Sequence, residues 1–153
     1  MFDKILISRC FLGDNVRYNS KTIQLNHPLL SLWQKQNRFI MICPEVSGGL
    51  PVPREPAEQK FNSNNVITIS GVDVTKEFNQ GAKLALALCK QNNIRFAIMK
   101  ESSPSCGSTL IYDGTFSNTK ILGQGVTCKL LTHAGINVFS ENNLRELEKL
   151  LDK

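Results

Sequence analysis

The sequence predicts an α/β fold: a three-layer sandwich around a mainly parallel central sheet of about four to five strands, with cysteines along the C-terminal edge of the sheet. Three observations predict it. Four short, uninterrupted apolar runs are bounded by turn residues, "KILISRC" (4–10), "RFIMICP" (38–44), "RFAIMK" (95–100) and "INVFS" (136–140), as expected of strands covered on both faces. Amphipathic helical patterns separate these runs, and such alternation builds a parallel sheet with right-handed connections. The 153 residues show no repeat, low-complexity tract or linker, so one domain over 1–153 is expected, long enough to bury a core without disulfide or metal staples.

The elements between the strands follow in order. "HPLLSLWQKQN" (27–37) reads as a helix opening beside Pro28, a residue suited to a first turn. Segment 45–74 then breaks the alternation with Pro51, Pro53 and Pro56, the pair Gly48 and Gly49, and a "VITISGVDV" piece with hairpin character. An excursion of this length in a compact domain is more often a functional loop than filler. "TKEFNQGAKLALALCKQNN" (75–93) offers Thr75 as an N-cap, with Glu77 favourably placed against the helix dipole. "QGVTCKLLTHAG" (124–135) ends at Gly135, a C-terminal cap, and "ENNLRELEKLLDK" after Ser140 carries leucines 144, 147, 150 and 151 on one face.

Composition narrows the class. With 41% hydrophobic and 20% charged residues, and no apolar run near the roughly 20 residues that cross a bilayer, the chain reads as an ordinary soluble protein. "MFDKILISRC" has an acidic third residue and no small-residue cleavage site, so it is no signal peptide, and a cytoplasmic location is expected. A net charge of +5 suits a polyanion, yet the lysines and arginines are scattered, which favours a solvated basic surface over a nucleic-acid face. Nothing in the sequence sets an oligomeric state.

The five cysteines are an odd number in what reads as a reducing compartment, so a disulfide framework is not expected. Cys89 falls in register with Phe78, Ala82 and Ala85 on an apolar helix face, and Cys128 sits among Val126, Leu130 and Leu131; both read as core thiols. Cys10, Cys43 and Cys106 differ. Each lies at or just beyond the C-terminal end of a predicted strand, the edge where parallel sheets form their ligand crevices. If those strands are neighbours, about 4.8 Å apart, the thiols converge. Zinc knuckle spacings are missing, and His27 and His133 read as helix-terminal residues rather than ligands. Three soft thiolates without a fourth protein ligand suit an iron–sulfur cluster with one open iron, beside the plain alternative of three unrelated cysteines.

The motifs "SRCFLGDNVRYN" around Cys10, "CPEVSGGLPVPREPAE" from Cys43, "GVDVTKEFNQGA" from Gly71 and "KESSPSCG" ending at Gly107 together resemble the thiouracil desulfidase family, long catalogued as a domain of unknown function. The resemblance covers nearly the whole chain with the motifs in order. It implies non-redox removal of sulfur from thiolated uracil, 2-thiouracil giving uracil and sulfide, on a [4Fe-4S] cluster held by Cys10, Cys43 and Cys106. Its open iron binds the substrate sulfur. The resemblance also implies Glu45 as catalytic glutamate and Ser103 as catalytic serine, with Ser102 and Ser105 as nearby alternatives for the serine. Some relatives carry a further C-terminal domain and act on thiolated tRNA; a chain ending at Lys153 points to a free base or small nucleoside.

Each residue also has a plainer reading. Glu45 suits a helix start or a surface, and Ser103 a turn or cap. Arg17, Tyr18 and Ser105 are candidates for lining a pyrimidine pocket, although a solvated arginine and a half-buried tyrosine explain the first two as well. "SGG" (47–49) lacks the lysine and hydroxyl of a phosphate loop. Two rival functions remain in view: a cluster enzyme that acts on thiolated nucleosides or carries sulfur onward, and a zinc-stabilised tRNA-binding module.

Overall fold

The computed structural model of the protein describes residues 2–13, 18–19, 26–61 and 63–153. Its centre is a four-stranded sheet in the order β2-β1-β5-β8, built from β1 (Ile5–Ser8), β2 (Phe39–Ile42), β5 (Phe96–Ile98) and β8 (Asn137–Phe139). Every pairing in it is parallel, with Ile5 opposite both Phe39 and Phe96, and Phe96 opposite Asn137. All four predicted strands are present. The interior strands β1 and β5 are buried along their length, which is why their sequences are unbroken apolar runs. β2 is an edge strand instead of a strand covered on both faces, and Met41 is half exposed.

Alternation along the strands sorts the core into two layers. Ile5, Ile7, Phe96, Ile98 and Phe139 face Leu29, Leu30 and Trp33 of α1 (Pro28–Lys35) and Leu144 and Leu147 of α5 (Leu144–Glu148). Leu6, Ala97 and Met99 face Ala85 and Cys89 of α3 (Thr75–Gln91) and Leu131 of α4 (Val126–His133). This is the expected three-layer sandwich. Leu150 does not join the core as its spacing suggested: α5 ends at Glu148, and Leu150 is 44% exposed.

Three helices hand the chain to the next parallel strand by one device. At the ends of α1, α3 and α4 a left-handed residue follows the cap, Asn37, Asn93 or Gly135. The next N–H then reaches back to the last turn: Arg38 to Trp33, Ile94 to Cys89 and Ile136 to Leu131. Such six-to-one closures satisfy carbonyls the helix leaves open and turn the chain sharply into the strand. At the start of α3, Thr75 is the first helical residue and not the N-cap: Asp73 Oδ1 accepts from Thr75 N at 2.9 Å, while Thr75 Oγ1 accepts from Val66 N, so the hydroxyl is spent on holding a strand.

Among the described residues, two small antiparallel pairs lie outside the main sheet. In the excursion, β3 (Ala57–Gln59) pairs with β4 (Val66–Thr68); β6 (Leu110–Tyr112) and β7 (Lys120–Leu122) form a hairpin. Ile67 also bridges Asp73, the hairpin character seen in "VITISGVDV". Among the described residues, no helix is long and apolar enough to cross a membrane.

Candidate active site

Because β2, β1 and β5 are neighbours and parallel, their C-terminal ends open on the same side. Cys10 lies in the 3-10 turn Arg9–Phe11 after β1. Cys43 is the N-cap of the short helix α2 (Pro44–Ser47) after β2, and Cys106 lies in the turn after β5. All three line one cavity of about 480 Å³, together with Glu45, Ser103 and Tyr18. Arg17 lies outside the described residues. Neither histidine lines the cavity; His27 Nδ1 instead caps α1 by accepting from Leu29 N at 3.1 Å.

The thiols affect one another. Burial pushes the Cys106 thiol far above its usual range, and the nearby Cys43, Glu45 and Cys10 add to this, opposed by the Ser8 hydroxyl 3.7 Å from its sulfur. Cys43 is likewise raised by burial and by Glu45, against Arg54 and the Val46 and Glu45 N–H groups. Among the described residues no three His, Cys, Asp or Glu side chains form a single-ion site. By contrast, Cys89 and Cys128 are core thiols away from the cavity, each pushed by burial to about 11.

Glu45, in the first turn of α2, is held by an arginine that sequence reasoning missed. Arg54 Nε donates to Glu45 Oε1 at 3.1 Å, Arg54 Nη1 to the Pro51 carbonyl, and Arg54 N to the Tyr18 carbonyl. Burial raises the Glu45 carboxyl above the ordinary range, and the charge and hydrogen bond of Arg54 only partly offset it. The position of α2 depends on two glycines. A Cβ on Gly81 of α3 would lie 1.9 Å from the Pro44 carbonyl oxygen, and one on Gly48 would lie 2.0 Å from that of Glu77. The helices therefore meet backbone to backbone, and this contact sets the height of both Cys43 and Glu45.

The turn bearing Ser103 and Cys106 is fastened from three sides. Glu101, also missed, accepts at Oε1 from the N–H groups of Ser102, Ser108, Thr109 and Leu110, and at Oε2 from the Ser108 hydroxyl. Those bonds outweigh burial and lower its pKa. The opening N–H groups of α4 donate to carbonyls of Pro104 and Ser105, and Gly125 N to that of Gly107. Gln59 Nε2 ties β3 to the same loop through the Pro104 and Gln124 carbonyls.

Ser103 Oγ accepts from Ser105 N and Cys106 N, each at 3.1 Å, so the turn reading is real. With these bonds accepted, the Ser103 hydroxyl keeps its own proton to donate, and the residue lines the cavity. Ser105 is a correction: it is fully buried, its hydroxyl lies 2.8 Å from Thr127 Oγ1, and it does not line the cavity. Ser102 lines the cavity beside Ser103, and spacing from Cys106 did not reveal which of the three serines faced away from it.

Comparison with known proteins agrees with this architecture. The uncharacterized protein YbbK of Bacillus subtilis (strain 168) is 42% identical over 154 residues, covering 94% of this chain and 99% of its own. A solved structure titled [4Fe-4S]-dependent thiouracil desulfidase TudS superposes with a TM-score of 0.94 at 47% identity, covering 97% of each chain. The family model described as 2-thiouracil desulfurase matches residues 5–143, from the first strand to the turn before α5, and the chain belongs to that family.

Proposed function

We propose that this chain is a [4Fe-4S]-dependent desulfidase that converts a thiolated uracil to uracil and sulfide, with Cys10, Cys43 and Cys106 as the cluster ligands. The observation that carries the reading is the delivery of three thiols, from the ends of three adjacent parallel strands, to one cavity that also holds a buried carboxylate. The donor set fits the group: three sulfurs and no histidine are the soft ligands that iron–sulfur clusters take. When bound, the cluster supplies a soft Lewis acid for the thione sulfur.

The chain's own residues do the rest. Glu45, oriented through Oε1 by Arg54, takes a proton from water as the water oxygen attacks the thiocarbonyl carbon. As the tetrahedral adduct collapses, its hydroxyl loses the second water proton and forms the carbonyl, the C–S bond breaks, and the sulfide leaves carrying that proton as hydrosulfide while Glu45 releases the proton it took, regenerating its carboxylate. Ser103 donates its hydroxyl hydrogen to the substrate ring and steadies the adduct. Tyr18 contributes a rim wall, and a cytoplasmic setting keeps the thiols reduced.

The test is anaerobic purification with iron and sulfide assays, followed by addition of 2-thiouracil. About four irons per chain with release of uracil and sulfide is expected. A metal-free or zinc-containing protein that leaves 2-thiouracil intact would overturn the reading. Cys10→Ser, Cys43→Ser and Cys106→Ser should each lose iron, whereas Cys89→Ser should keep it; full iron in Cys43→Ser would remove that residue from the ligand set.

A further inference from the structure

Besides the thiols, the cavity is lined by residues of the β6–β7 hairpin and of the excursion. The β6–β7 hairpin contributes Tyr112, Phe116, Asn118 and Lys120 to the lining, and the excursion contributes Glu58. Phe116 has φ +58°, a left-handed backbone that bulky side chains rarely adopt. The conformation is held from outside the hairpin. Glu58 Oε1 accepts from Gly114 N at 3.0 Å and from Phe116 N at 3.2 Å. The tip also sits hard against the excursion, where a Cβ on Gly114 would lie 2.6 Å from the Gln59 carbonyl oxygen. The tip is a fixed wall.

Of the three aromatic rings in the lining, Tyr112 has the Lys120 ammonium 5.5 Å from its centroid and Tyr18 is 40% exposed at the rim. Phe116 is half buried and pinned. We propose that Phe116 is the specificity-determining platform against which a planar heteroaromatic thione stacks, and that Glu58 is the residue that positions it. The inference rests on the desulfidase reading and deepens it: the wall selects a flat conjugated ring, while the thiol side deals with the sulfur. Strain at a bulky residue is retained where neighbouring groups over-determine it, as Glu58 and the Gly114 contact do here.

The test uses reconstituted holoprotein and two readouts, calorimetric binding of uracil, which carries the ring but no sulfur, and the KM and kcat for 2-thiouracil. Stacking of a base on an aromatic ring predicts that Phe116→Ala weakens uracil binding about 10- to 100-fold and raises KM similarly, with a much smaller fall in kcat and no loss of iron. Phe116→Leu, of similar bulk but without a flat face, should show most of the same loss, and Phe116→Tyr should restore binding. Glu58→Gln should show a smaller rise in KM. Uracil affinity in Phe116→Ala or Phe116→Leu equal to wild type would overturn the inference while leaving the desulfidase reading intact. A wild-type holoprotein that neither binds uracil nor releases sulfide would bring down both.

Discussion

Glu45 and Glu101 are both partly buried carboxylates, yet their surroundings assign them opposite tasks. Glu101 is saturated with donors, four backbone N–H groups and a hydroxyl, which hold it ionised and make it the anchor of the Cys106 turn. Glu45 has one strong donor, Arg54, and burial favours its protonated form, the behaviour of a group that takes up a proton. Glu45→Gln should therefore keep iron and fold while lowering kcat about 10²- to 10⁴-fold, and turnover at the wild-type rate would remove it from the chemistry. Glu101→Gln should act on structure first. Gln keeps one oxygen for the four N–H groups and can donate to the Ser108 hydroxyl oxygen, but it loses the negative charge that strengthens those bonds, so a loss of about 1–2 kcal/mol and poorer iron retention are expected by denaturant unfolding and iron assay. A Glu101→Gln protein as stable as wild type would show that the α4 contacts alone hold the turn.

At the scale of elements, two glycines make separable predictions. Gly135 ends α4 at φ +87°, so Gly135→Ala should cost about 1–2 kcal/mol and leave iron content and turnover as they are. Gly81→Ala should cost about 1–3 kcal/mol by overpacking, and here iron content and turnover should fall as well, because the Pro44 carbonyl must move and Cys43 and Glu45 move with it. Equal iron in the two variants would mean that α2 has room to shift without harming the site. The main sheet and its helices were legible because continuous apolar runs and helical periodicity survive in a single sequence, and Cys10, Cys43 and Cys106 were legible because each lies at or just beyond the end of such a run. β3, β6 and β7 were not. They are three-residue strands with mixed burial, stabilised by contacts remote in sequence. The same holds for Arg54, between two prolines, and for Glu58 and Phe116, whose partnership joins the excursion to the hairpin. Glu101 did leave a trace, an acid opening the turn "ESSPSCGSTL" whose N–H groups it collects.

The whole molecule is closed by a charged cluster far from the cavity. Arg38, 3% exposed, donates from Nη1 and Nη2 to Asp152 and from Nη1 to the Asp3 carbonyl; Asp3 and Asp152 exchange further bonds, and Arg95 pairs with Asp3. The hydrogen bond from Arg38 is the main reason the Asp152 carboxyl lies at about 2, below its usual 3.8. A lowered folded-state pKa stabilises the fold above the ordinary value, and this contribution is lost as pH falls through the folded one. Asp152→Asn should therefore have a lower Tm than wild type at neutral pH, with the gap closing between about pH 4 and pH 2. A gap that persists unchanged at pH 2 would assign the effect to packing.

The strand order β2-β1-β5 also governs when the site comes into being. The three thiols are scattered along the chain, each just beyond its own strand, and they share a cavity only when those strands have paired in register. A chain still unfolded presents isolated cysteines with no common geometry. Loading of the proposed cluster is then a readout of completed folding, and once in place the cluster clasps three neighbouring strands at one end. Holoprotein should resist unfolding more than apoprotein, and its amide protection should rise most in β1, β2 and β5.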